Sequence, residues 1–97
     1  MNLNFQITKQ AAMRLRAVNH KLRNTIMDYI DKKGETDVTH LYNALGLEQS
    51  VASQHLAILR RAHIVKTRRD GKFIYYSIDY KSLDRLMELA QQMVKGN

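Results

Sequence analysis

Apolar positions recur at helical spacing along most of this 97-residue chain, and no proline interrupts them. Thr8 is expected to cap a first helix over 8–18, with Ala11, Ala12, Leu15 and Val18 on one face. Asn19 or His20 opens a second helix with Leu22, Ile26, Tyr29 and Ile30 as its apolar stripe, and Lys32, Lys33 and Gly34 close it. Asp37 caps a short third helix, Val38 to Leu45, and Gly46 supplies the turn after it. A fourth helix covers 49–62. The period then shortens: 64–69 and 72–78 read as two strands of a hairpin with Asp70-Gly71 as the two-residue turn. A last helix over 79–94 follows. The order α-α-α-α-β-β-α, mainly helical with one small β-hairpin, outlines a winged helix-turn-helix: 38–62 the helix-turn-helix, 64–78 the wing. No repeat, linker or low-complexity tract appears, so 1–97 is read as one domain.

The fourth helix separates two kinds of surface. At ~100° per residue, Ser50, Gln54, Ala57 and Arg61 fall on one side, flanked by Ser53 and Arg60. Ala52, Leu56 and Leu59 fall opposite, with His55 at the edge of that buried side. Ordinary surface helices mix glutamate with lysine, whereas this outward face has no acid after Glu48. Short polar side chains allow close approach to base edges. The first and last helices carry apolar stripes of their own, including Leu15 on one and Leu83, Leu86, Met87, Ala90 and Met93 on the other. They either complete the monomer core or pair with their equivalents in a second copy as dimerisation helices over 8–18 and 79–94.

Charge sharpens this picture. The chain carries +7 overall, and residues 49–76 hold Arg60, Arg61, Lys66, Arg68, Arg69 and Lys72 against Asp70 alone. The excess therefore sits on the segment that holds the outward helix and the hairpin, which points to nucleic acid. A hydrophobic fraction of 44% fits a packed core, and the absence of cysteine excludes disulfides and thiolate metal sites. No apolar run reaches the ~18–20 residues of a membrane span. The polar beginning lacks a signal-peptide block, so a cytoplasmic location is expected, close to the nucleoid.

The ordered set Ala44-Leu45-Gly46-Leu47, Gln49-Ser50, Ser53, His55-Leu56, Leu59-Arg60, Ile64-Val65, Arg68-Arg69-Asp70-Gly71-Lys72 and Tyr75-Tyr76-Ser77, with Arg23 and Ile26 upstream, resembles the ArsR/SmtB family of bacterial winged-helix repressors. The similarity spans residues 18–78. It implies a homodimer, paired through the first and last helices, that sits on an inverted-repeat operator in double-stranded DNA and represses transcription. Gln49, Ser50, Ser53 and Gln54 match family positions that contact DNA from the recognition helix. Gln54 stands where many relatives have histidine, and glutamine can bond adenine bidentately. Arg68, Arg69 and Lys72 match wing positions that meet phosphate or the minor groove. Arg60 and Arg61 join them as phosphate contacts, although a solvated helix end favoured by the dipole accounts for both nearly as well. His55 matches a family histidine and is read as structural.

Departures from the family pattern matter equally. Its thiol-type metal sensors carry cysteines where this chain has Asp37 and Thr39. Its zinc-type members carry Asp/His and His/Glu pairs where this chain has Tyr80, Ser82, Met93 and Gly96. His20, His40, His55 and His63 lie on four segments with no i, i+4 pairing. No metal and no cofactor are expected, and nothing in the chain identifies a small-molecule inducer. Asp84 and Glu88, flanked by Lys81 and Arg85, read as a solvated, ion-paired face rather than an acid–base pair, and no nucleophile triad or glycine-rich phosphate loop points to an enzyme. A winged helix serving protein or RNA contacts is the alternative. It calls for a more apolar outward helix or stacking aromatics on the sheet.

Overall fold

The computed structural model describes residues 3–95, with side chains described over 8–93. In chain order the elements are α1 (Leu3–Val18), α2 (Lys21–Lys33), α3 (Val38–Leu45), α4 (Gln49–Arg61), β1 (Val65–Asp70), β2 (Phe73–Ile78) and α5 (Tyr80–Lys95). The expected α-α-α-α-β-β-α order is the observed one. Thr8 does not start α1: the helix begins five residues earlier, and Thr8 is an exposed interior position. Residues 3–7 contain no glycine or proline, so a helix already nucleated simply propagates through them.

Side-chain caps open α2, α3 and α5, at α2 and α3 as the sequence suggests. His20 accepts from the Arg23 amide, Asp37 from the His40 amide and Asp79 from the Ser82 amide. The ends of α3 and α4 share one device. Gly46 takes a left-handed backbone (φ 65°) while Leu47 N–H reaches back to Tyr42 C=O at 2.9 Å. Likewise His63 adopts φ 59°, its N–H bonds Arg60 C=O, and Ile64 N–H bonds Leu59 C=O at 2.9 Å. Both are Schellman stops. At the second, histidine occupies the place where glycine is usual.

The fully buried side chains Ile26, Ile30, Leu41, Leu56, Leu59, Ile64 and Leu86 come from α2, α3, α4, the α4–β1 link and α5. Each contributes about 1.5–3 kcal/mol by leaving water. Among the described side chains of α1, Ala11 and Ala17 are buried, and their small size lets that helix lie close on the others. Leu86, grouped by its spacing with a dimer face, is instead 0% exposed within the single chain and belongs to this core. An α-helical stripe read from sequence does not distinguish the side turned to its own chain from the side turned outward.

The hairpin closes one residue later than its Asp70-Gly71 dipeptide suggests. Asp70 pairs with Phe73, so the turn is Gly71-Lys72, with Gly71 at φ 61° in the first central position that a tight hairpin turn reserves for glycine. An isolated two-stranded hairpin is marginal in water. Here Val65 and Ile78 bury its base, and Thr36 extends it: Thr36 N–H bonds Tyr76 C=O at 3.0 Å and Tyr76 N–H bonds Thr36 C=O at 2.7 Å.

Arg14 fastens α1 across the fold. Its Nε donates to the Ala62 carbonyl at 2.8 Å, at the end of α4, and its Nη2 donates to the carbonyl and hydroxyl oxygens of Ser82 on α5. Charge-assisted bonds of this kind are worth about 1.5–3 kcal/mol. Arg14→Leu is therefore expected to lower stability by about that amount in urea unfolding, and Arg14→Lys to recover less than half, because one ammonium cannot span acceptors on two elements. Equal midpoints for wild type and Arg14→Leu would contradict this role.

Candidate nucleic-acid interface

The wheel reading of α4 holds in three dimensions. Gln49, Ser50, Ser53, Gln54, Ala57, Arg60 and Arg61 are exposed, while Ala52, Leu56 and Leu59 are 0% exposed behind them. Glu48 occupies the N-cap without making a side-chain cap bond. Its carboxylate leaves the first-turn amides of α4 uncapped and complements the helix dipole only through charge.

The outward side of α4 faces the hairpin across an open hollow of about 580 Å³ lined by Ser53, Ala57, Arg60, Arg61 and Tyr76. Side chains alternate across a sheet. Tyr76 pairs with Thr67, so the next positions on that α4-facing side are Ile74 and its partner Arg69. Arg68 pairs with Tyr75 and points to the other side. There its guanidinium lies 4.7 Å from the Tyr75 ring centre and grips Glu35 through two bonds, Nε to Oε2 at 3.0 Å and Nη2 to Oε1 at 2.7 Å. This pairing holds the Glu35 carboxyl below, and the Arg68 guanidinium above, their usual pKa ranges, chiefly by hydrogen bonding. The two wing arginines, equivalent in sequence, are thus unlike: Arg69 shares a side with α4, whereas Arg68 is turned away and its charge is already paired. Lys72 sits at the turn with its ammonium 5.5 Å from the Phe73 ring.

Several features had no signal in the spacing. Phe73 and Ile74 are 46% and 39% exposed near the hairpin tip, and Phe73 lies beside Tyr75. His20 and His55, 35 positions apart in the chain, bring their rings to 5.1 Å. Arg23 joins them: Nη1 contacts His55 Nδ1 at 3.3 Å, Nε donates to Ala17 C=O at 2.6 Å and Nη2 to Arg16 C=O at 3.3 Å. One guanidinium therefore ties the end of α1, the start of α2 and the middle of α4. Only the place of Arg23 in the second-helix signature hinted at it. Burial, then Arg23, then His20 push the His55 pKa below the usual histidine value.

The remaining expected positions divide. Met87 on α5 is 38% exposed and Met13 on α1 45% exposed, while Leu15, Leu83, Ala90 and Met93 are half-buried. Tyr80 donates to Asp31 and Ser82 accepts from Arg14. Gly96 lies outside the described residues. Among the described residues no group of three His, Asp or Glu side chains converges as a metal site, and no helix is long and apolar enough to cross a membrane. Asp84 and Glu88 are exposed, without the ion pairs expected of them among the described residues.

A family profile described as bacterial regulatory protein, arsR family, matches residues 20–67. The transcriptional repressor PagR of Bacillus anthracis is 33% identical over 75 residues, 77% of this chain and 75% of that protein. The crystal structure of NolR from Sinorhizobium fredii superposes with a TM-score of 0.75 at 35% identity, covering 99% of this chain and 94% of that one. A solution structure from Mycobacterium bovis, described as a homodimeric winged helix-turn-helix DNA-binding domain, gives a TM-score of 0.79 at 27% identity, covering 98% and 87%. Several curated relatives are longer: the match spans 62%, 66% and 54% of three of them.

The His55 geometry sets a pH dependence. Its Nδ1 serves as acceptor for Arg23, so the folded state favours the neutral ring, while the unfolded chain protonates near the ordinary value of about 6.5. The unfolded state then binds more protons below that pH, and stability contributed above it is lost as pH falls from about 6.5 through the lower folded pKa. Urea midpoints should drop between pH 7.5 and 5 in the wild type and flatten in His55→Gln, which keeps an acceptor but does not titrate. An identical slope in both would place the pH response elsewhere.

Proposed function

The chain belongs to the bacterial ArsR family of regulatory proteins, a class of winged-helix DNA-binding transcriptional regulators and not enzymes, and we propose that it binds an inverted-repeat operator as a homodimer and represses transcription. The observation that carries this reading is the hollow between α4 and the hairpin. Polar residues short enough to reach base edges lie at one end of α4 and two arginines at the other, with Tyr76 of β2 across the hollow. A helix of this composition beside a basic hairpin matches the shape of a major groove with its flanking phosphates. Recognition-helix N-termini meet the bases, so Gln49, Ser50, Ser53 and Gln54 read sequence. Arg60, Arg61, Arg69 and Lys72 hold phosphate. Arg68 contributes less, because phosphate must first displace Glu35.

The Mycobacterium bovis neighbour is described as homodimeric, and Met87, open on α5 beside half-buried Leu83, Ala90 and Met93, gives this chain a surface of the same kind. In this reading the helices over 8–18 and 79–94 pair two copies through Leu15, Leu83, Met87, Ala90 and Met93. Residues 38–62 dock on DNA, 64–78 flank it, and the whole of 1–97 acts as one unit in the cytoplasm. Exposed Phe73, its ring beside half-buried Tyr75, favours a second reading, stacking on single-stranded RNA.

Selection of bound duplexes from a random pool tests the proposal, with solution mass measured alongside. A two-fold symmetric winner and a doubled mass are expected; a preference for single-stranded RNA over every duplex would favour the second reading. Gln54→Ala should cost ~1–3 kcal/mol at one operator position and relax preference there. Equal loss on all sequences would make Gln54 a positioning residue. Arg69→Ala should reduce the slope of log affinity against log salt by about one, and Arg68→Ala by clearly less. Equal slopes for the two variants would contradict the assignment of Arg68 to Glu35.

A further inference from the structure

Where α4 meets α1 and α2 lies a second hollow, of about 370 Å³, lined by Met13, Arg16, Ala17, Arg23, Ile58 and Arg61. Three guanidinium groups border it, and none of the three forms an ion pair with an acid among the described residues. Its remaining lining, Met13, Ala17 and Ile58, is wholly apolar, and Met13 is 45% exposed. Arg23 is fixed by its bonds to Ala17, Arg16 and His55. Three of its five N–H groups are thereby engaged, and the rest of the guanidinium remains beside the hollow. The volume falls within the range of about 300–1,000 Å³ in which small-molecule pockets occur, and those are typically apolar with a few placed polar groups.

We propose that this hollow binds a small organic anion: a carboxylate, sulfonate or phosphate ester at the arginines, carrying an aliphatic or aromatic body that covers Met13, Ala17 and Ile58. Charge complementarity selects the head group, since three cations without a counter-ion favour an anion, and arginine suits planar or tetrahedral oxyanions bidentately. The apolar lining selects the body, because a bare inorganic anion leaves that surface wet. Position gives the ligand a consequence. Arg61 borders both this hollow and the one facing the hairpin, so an occupant draws away a side chain that the operator reading assigns to phosphate. Coupling to DNA rests on that reading; occupancy of the site does not. The two ligands then oppose each other by equal factors, as linkage requires.

The test uses the full chain without DNA first. Anilinonaphthalene sulfonate is titrated by fluorescence, with decanoate, decyltrimethylammonium and inorganic sulfate as competitors. One saturable site per chain is expected, displaced by decanoate and not by the cation or by sulfate at equal concentration. Arg16→Gln, an exposed substitution outside the DNA set, should weaken it about tenfold, the equivalent of one charge-assisted bond. Unaltered dye binding in Arg16→Gln would overturn the proposal by placing the dye on another apolar surface such as α5. Displacement by sulfate as effective as by decanoate would overturn it by leaving the apolar lining without a role. In a second arm, decanoate should weaken operator binding by the wild type and not by Arg16→Gln. If dye and decanoate bind as stated but no duplex does, the site stands and the operator reading fails.

Discussion

Two guanidinium groups hold α4 from behind. Arg14 on α1 grips the carbonyl that ends α4, and Arg23 on α2 contacts His55 at its middle while closing the end of α1. A helix only 13 residues long is marginal by itself. Its outward face is polar and offers nothing for the core. Its orientation therefore depends on Ala52, Leu56 and Leu59 packing inward, and on these two arginines fixing rotation and tilt at two separate points. Apolar burial supplies most of the stability but is non-directional; the bonded guanidiniums supply direction.

The hairpin is positioned by a different mixture. Its base is anchored by Val65 and Ile78, and one side of β2 is bridged by Thr36. The Glu35–Arg68 pair then adds an exposed link between the α2–α3 turn and β1. Exposed ion pairs contribute little stability. Glu35 acts instead on charge distribution, quenching one wing arginine and leaving the net positive field to the α4-facing side.

Much of this was legible in the sequence. Helix starts at His20 and Asp37, the turn at Gly46, and the two-sided character of α4 all follow from local chemistry, because each depends on residues within one or two helical turns. The cap at Asp79, read as the first helical residue, does not stand out in the same way. What the sequence did not show depends on contacts between distant segments. Leu86 and Met87 are neighbours in one stripe, yet only packing against the rest of the chain decides that the first is core and the second open. Arg68 and Arg69 look alike in a linear charge count, and strand alternation together with Glu35, 33 residues upstream, separates them. The meeting of His20 with His55 likewise has no periodic signature. Asp-Gly is a strong local turn signal, yet Asp70 pairs with Phe73 and the turn lies one residue later, at Gly71-Lys72.

The left-handed step at His63 has a mechanical consequence. It ends α4 and starts β1 within three residues, with both flanking amides engaged in the helix stop, so no slack exists between the two elements. The spacing from α4 to the hairpin is thereby held by a short, hydrogen-bonded joint, as on a ruler. A residue inserted there would leave each surface intact and change the interval between them, so that the protein would favour target sites of altered length.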